Sequence, residues 1–203
     1  DLLAFWQEHG DSVAFQTLSG GQYDHPHGVQ FGGRHASWSR CTVEQVWATH
    51  LAGAAHAVAL DIHTGLGPLG RLTVFQTADD HEPAAALGTA WFPSWCYRSD
   101  RTRSVDHGLL GVGFDAWAAL DPDRPSVATF VVEFGTYEPT GGATVFRADN
   151  WLHHHGDPTS ALGAEVRSRM RDFFFVADPA WRTDVADQGL AALHVALDGV
   201  ALG

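Results

Sequence analysis

Two stretches of the chain are apolar without a break, and each ends on a side chain that can do chemistry. Ala57-Val58-Ala59-Leu60 runs into Asp61-Ile62-His63-Thr64-Gly65-Leu66-Gly67, and Val127-Ala128-Thr129-Phe130-Val131-Val132 runs into Glu133-Phe134-Gly135-Thr136. Short apolar runs bounded by turn residues predict buried strands, here at about 57–62 and 127–133. His63 and Glu133 would then be delivered to loops at the strand ends. Arg71 to Gln76 alternates for half its length and predicts another strand, at an edge or inside. A helical period appears elsewhere. Residues 1–18 predict a helix interrupted near Gly10. Thr42 with Gln45 predicts a capping box and a helix from Val43 to about Ala55, with Val43, Val46, Trp47 and Leu51 on one face. Residues 140–154 predict a helix. A second should start at Asp157-Pro158-Thr159-Ser160 and run to about Phe173. Asp178-Pro179 is a cap and first-turn pair for a last helix to about Leu197, with the stripe Trp181, Val185, Leu190, Leu193 and Leu197. Residues 77–107 read as a long surface excursion, 109–120 as a helix despite Gly111 and Gly113, and 121–125 as a turn.

Strands interleaved with helices predict an α/β fold: a mixed, mainly parallel sheet with helices on both faces. Ligands of such sheets bind beyond the carboxyl ends of the strands. If the two apolar strands are parallel neighbours, His63 and Glu133 share one crevice. An imidazole there suits a metal ion, and a carboxylate suits removal of a proton from metal-bound water. A lone histidine near a turn is more often simply a hydrogen-bonding residue. Asp61, two residues earlier on the same strand face, either orients the imidazole or caps the turn.

Composition narrows the partners. The 203 residues suit a single domain spanning 1–203. A net charge of −12 argues against nucleic acid and anionic membranes as partners. The chain has no lysine; every basic side chain other than histidine is arginine. Thirteen histidines draw attention to metal or proton chemistry. Cys41 and Cys96 are too few for a disulfide framework and suggest a reducing, cytoplasmic setting. The first residue, Asp1, leaves an earlier leader, and with it secretion, open. No apolar run reaches the ~20 residues of a membrane span. Further candidates are His25-Pro26-His27, whose proline turns neighbouring imidazoles apart, and His153-His154-His155, read as a solvated helix end. Tyr137 could give a proton near Glu133. Arg98, Arg101 and Arg103 could meet a substrate carboxylate. Arg147, Asp149 and Asn150 could form a structural network or touch substrate.

Several blocks occur in order: Gln22-Tyr23-x-His25-Pro26-x-Gly28, Phe31-Gly32-Gly33, Ser37-Trp38-Ser39, Asp61-x-His63-Thr64-Gly65-Leu66-Gly67-Pro68, Glu133-Phe134-Gly135-Thr136 and Arg147-Ala148-Asp149-Asn150-Trp151-Leu152-His153. Together they resemble the domain of unknown function 2817 family, a branch of the zinc carboxypeptidase-like hydrolases related to the aspartoacylase and succinylglutamate desuccinylase group. The resemblance implies a zinc carboxypeptidase-like sheet and a zinc-dependent hydrolase of peptide or amide bonds. It makes His63 the third zinc ligand and Glu133 the general base; His25, Arg147 and Tyr137 stand beside them as candidate substrate-contacting residues. The substrate would be a peptide or an acylated small molecule, with N-acyl amino acid deacylation as a related activity. The early His-x-x-Glu ligands and the Asn-Arg block of the pattern do not occur in this chain. That predicts either the C-terminal portion of a zinc carboxypeptidase-like domain, without its N-terminal strands, or a non-catalytic remnant or binding domain. An uncovered sheet edge would favour oligomers.

Overall fold

The computed structural model describes residues 4–5, 7–10, 13, 17, 20–51, 53–54, 56–76, 87, 90–92, 96–98, 127–136 and 141–202; of these, the side chains of 76, 96–98, 127 and 202 are left undescribed. The chain divides into two compact units, Asp1–Ala54 with Ser99–Arg124, and Ala55–Arg98 with Pro125–Gly203.

In the first unit, the described residues among 4–17 are helical, and Gly10 takes φ +78°. A loop is knit by Gln22. Its amide donates to His25 O at 2.8 Å, its Oε1 accepts from His25 N at 2.7 Å, and Gln22 and Phe31 form a bridge. A Cβ at Gly28 would sit 2.9 Å from the Gln22 side chain, and one at Gly32 would meet the Tyr23 ring at 2.6 Å. The turn itself therefore explains this block of residues. Helix α1 spans Trp38–His50, and its cap is Ser37, whose Oγ accepts from Arg40 N at 3.1 Å. The cap expected at Thr42 is corrected. Ser37 already has the extended backbone and the free hydroxyl that a cap needs, so the helix begins more than a turn earlier. None of its residues is buried, and Val43 and Val46 remain exposed.

The second unit is an α/β layer. Strands β1 (Ala57–Leu69), β2 (Leu72–Gln76), β3 (Cys96–Arg98) and β4 (Val127–Gly135) form one sheet in the order β1-β4-β2-β3. β1 pairs with β4 in parallel, β4 with β2 antiparallel, and β2 with β3 in parallel. The sheet is mixed because β1 and β2, consecutive in sequence, flank β4 instead of pairing with each other. Their connection crosses the carboxyl end of β4 as an arch. Gly70 N donates to Gly135 O at 3.0 Å, and Gly135 N donates to Arg71 O at 3.1 Å. The crossing puts the Pro68 and Gly67 carbonyl oxygens where a Cβ of residue 135 would lie, so only glycine fits there. Gly67, at φ +105°, takes a backbone that other residues rarely adopt.

Helices α2 (Gly142–His155), α3 (Ala161–Phe174) and α4 (Pro179–Leu202) complete the unit. Ser160 Oγ caps α3 through Gly163 N at 3.0 Å, and the Asp178 carboxylate accepts from Ala180 N at 2.9 Å at the start of α4. One sheet face carries Val74, Ala128 and Phe130, which join Phe92 and the α4 residues Ala192 and Ala196 in a buried core. Each fully buried phenylalanine contributes about 1.5–3 kcal/mol. Of the stripe expected on α4, Trp181 is buried, but its leucines are corrected: Leu190, Leu193 and Leu197 are 55%, 43% and 54% exposed, and Ala192 and Ala196 are buried in their place. The sheet supplies the bulk through its aromatic rings, so the helix must present small residues. A Cβ at Gly199 would collide with the Trp91 ring, and one at Gly189 would touch Phe134. Within the expected surface excursion, Phe92 is 1% exposed and belongs to the core, and residues 96–98 form the strand β3 at the end of the sheet order. The rest of 77–107, and the helix expected over 109–120, fall outside the described residues. Among the described residues, no helix is long and apolar enough to cross a membrane.

Candidate functional site

Side chains alternate across a strand, so residues in register on neighbouring strands share a face. His63 of β1 is in register with Glu133 of β4, and Glu133 with Thr73 of β2. The three therefore form one row on the sheet face opposite Phe130 and Val132. Asp61, Val131 and Phe75 form the next row. His63 lies inside β1 and not in a loop after it, because the strand continues to Leu69. This corrects the expected strand end near residue 62. The glycines do not stop the strand, since Thr64 and Gly65 continue the register with Phe134 and Gly135.

Glu133 is 7% exposed. Its Oε1 accepts from Leu66 N at 2.9 Å, so the arch holds the carboxylate from above. Gly65, at φ +152°, takes a backbone that other residues rarely adopt, and a Cβ there would stand at ordinary contact distance, 3.4 Å, from that oxygen. Thr136, 1% exposed, anchors the end of β4. Its hydroxyl donates to Phe173 O at 2.7 Å and lies 3.2 Å from Gly65 O, to which its N–H donates. From α4, Trp181 Nε1 donates to Gly135 O at 3.0 Å, while Gln188 accepts from Leu72 N and donates to Gly70 O. Glu133 thus sits under a turn fixed from both sides.

His63 is more open, with 49% of its side chain exposed. Its Nε2 lies 2.9 Å from Asp61 Oδ1. The hydrogen bond to Asp61 raises the imidazole pKa above its ordinary value, opposed by partial burial and helped by the charges of Asp61 and Glu133. A bond that commits Nε2 to a carboxylate leaves Nδ1 as the ring's lone-pair position. That is the usual arrangement of a metal-binding histidine steadied by an acid.

The other expected residues are more scattered. His25 is exposed in the Gln22 turn of the first unit. Arg147 is exposed on α2. Tyr137, Arg101 and Arg103 fall outside the described residues, and of Arg98 only the backbone is described. His153, His154 and His155 occupy the last turn of α2, where imidazoles face the negative end of the helix dipole. Among the described residues, no three histidine, cysteine, aspartate or glutamate side chains gather to hold a metal ion. Thr73, the Leu66 amide, Trp181 and Gln188 were not anticipated. Thr136 was readable as the last residue of the Glu133-Phe134-Gly135-Thr136 block, though its bonding was not. Gln188 and Trp181 act from more than forty residues away in sequence, and no local pattern marks them.

No curated protein and no solved structure matches the chain. The family model described as "Protein of unknown function (DUF2817)" matches residues 1–188. The chain belongs to that family.

Proposed function

We propose that this protein is a zinc-dependent hydrolase of peptide or amide bonds, with His63 as one zinc ligand and Glu133 as the general base. The observation that carries the reading is the register of His63 with Glu133 on neighbouring parallel strands, with Asp61 bonded to the imidazole. A bound zinc would supply a Lewis acid for the scissile carbonyl and lower the pKa of a coordinated water. His63 fits one ligand position, through the ring nitrogen that Asp61 does not engage. The reading assigns no further ligand among the described residues. Glu133 has the geometry of a base that must hold still: one carboxylate oxygen is fixed by Leu66 N, and the group is shielded from bulk water on a sheet face. Asp61 keeps the imidazole aimed. The mixed sheet, with His63 in the middle of β1 and Glu133 near the carboxyl end of β4, is compatible with a zinc carboxypeptidase-like arrangement.

The test uses the protein expressed from its whole reading frame in zinc-supplemented medium, with a panel of N-acetyl amino acids and dipeptides as substrates. Glu133→Gln preserves the acceptor for Leu66 N and removes the base. It should abolish hydrolysis, a loss of at least about a hundredfold for general-base catalysis, while the fold and metal content stay as in the wild type. Undiminished turnover in that variant would remove Glu133 from the chemistry.

A further inference from the structure

The outer side of α4 carries a pattern that its own sheet does not use. Thr183, Ala186, Leu190, Leu193, Leu197 and Val200 follow one another at alternating intervals of three and four residues. At 3.6 residues per turn they form one stripe along the helix. The residues that meet the sheet, Ala192, Ala196 and Gly199, lie on another side of it. Leu190, Leu193 and Leu197 are 55%, 43% and 54% exposed. Thr183 and Ala186 are exposed as well, and Val200 is half-buried. Single apolar residues on a surface need no explanation, but a continuous stripe does. The alternation of three and four is the seam by which one helix packs along another, and here it holds from residue 183 to residue 200.

The flanks of the stripe decide what can cover it. One flank is taken: Ala196 is in the core, and a Cβ at Gly189 would touch Phe134. The other flank carries Asp187 and His194, both exposed; Asp184 and Asp198 lie further round the helix. A parallel helix pair needs both flanks, because each flank meets the opposite one of its neighbour. An antiparallel pair related by a two-fold axis sets the open flank against itself. Its layers are Leu190 against Leu193, Ala186 against Leu197 and Thr183 against Val200, so large residues face small ones beyond the central leucines. The same register brings Asp187 of one copy beside His194 of the other, twice by symmetry. An imidazole N–H can donate to a carboxylate in either protonation state. The stripe is thus complementary to itself in shape and in charge.

We propose that this side of α4 is a dimerisation surface for a second copy of the chain, paired antiparallel through Leu190, Leu193 and Leu197 with Asp187 against His194. The inference uses nothing of the hydrolase reading. One helix pair is a small contact, in the class below about 1,200 Å² that marks weak and transient association, so a Kd of roughly 10–100 μM is expected.

Sedimentation velocity on the protein expressed from its whole reading frame, at concentrations from well below to well above that range, reads the association. The wild type should pass from monomer to dimer. Leu193→Glu, at an exposed position, should keep the circular dichroism of the wild type and stay monomeric. Asp187→Lys should weaken the dimer about fivefold, because two exposed pairs are lost in each dimer. Adding His194→Glu to that variant should restore wild-type association, since the two charges only exchange sides. A wild type that stays monomeric throughout would overturn the proposal, as would a dimer that survives Leu193→Glu, the result expected of two copies joined through the edge of the sheet. A double variant that associates no better than Asp187→Lys would overturn the antiparallel pairing.

Discussion

Substituting Gly135 by alanine tests the arch that roofs Glu133. The new Cβ would fall on the Pro68 and Gly67 carbonyl oxygens. Those are backbone atoms, which no rotamer change can move aside. Relief requires lifting the arch away from β4. The arch is tied there by Gly70 N to Gly135 O at 3.0 Å, by Gly135 N to Arg71 O at 3.1 Å, and indirectly by Trp181 Nε1 on Gly135 O at 3.0 Å. Loss of two or three such bonds at about 1 kcal/mol each predicts a destabilisation of about 2–3 kcal/mol. The usual cost of forcing extra volume into a packed site, about 1–3 kcal/mol, points the same way. For a chain of this size that is a fall in Tm of roughly 4–12 °C. Urea unfolding followed by circular dichroism gives the number. Gly53→Ala is the control, because a Cβ there meets no atom within 4 Å and the residue's φ is not positive. A Gly135→Ala protein within about 0.5 kcal/mol of that control, the ordinary spread of surface changes, would refute the close crossing of arch and strand.

Three further outcomes follow from the same geometry. Thr136→Val keeps the shape but strands the Phe173 carbonyl, and should cost about 1–2 kcal/mol in urea unfolding. Asp61→Asn should lower the His63 pKa, read by imidazole NMR in metal-free protein, because the raised value depends first on the bond to Asp61. The sign for stability is that of a group whose pKa is raised on folding: the His63–Asp61 contribution is complete below the ordinary value of 6.5 and fades as pH rises through the higher folded-state value. With about half of each side chain exposed, that contribution is small, and an unchanged His63 titration in Asp61→Asn would contradict the pairing. Ala196→Leu should destabilise by about 1–3 kcal/mol and Leu193→Ala by no more than about 0.5 kcal/mol; the reverse order would mean that the leucines face the sheet.

The strands that carry the site were legible because β4 is largely buried and β1 is half-buried over Ala57–Leu60, and continuous apolar runs mark such strands directly. The shared crevice of His63 and Glu133 was conditional on the two strands being parallel neighbours, a condition that the register of β1 with β4 meets. What escaped was non-local. Placing β4 between β1 and β2 depends on the arch, whose demand for Gly135 appears only when Pro68 lies above it. The face of α4 was misjudged because hydrophobicity ranks leucine over alanine, whereas the rings of Trp91, Phe130 and Phe134 leave space only for Ala192, Ala196 and two glycines. The early start of α1 was missed because Thr42 and Ser37 are both competent caps, and local pattern does not choose between them. Asp61 was readable as an orienting group from its two-residue spacing, since that spacing returns a strand side chain to the same face.

The most direct measurement is the zinc content of the protein expressed from its whole reading frame, in the wild type, His63→Ala and Glu133→Gln, after zinc loading and removal of loosely held metal. The account predicts about one zinc per wild-type chain, the same in Glu133→Gln, and loss of tightly bound zinc in His63→Ala with the fold retained. Stoichiometric zinc that survives His63→Ala would contradict it, as would a folded wild-type protein that holds none.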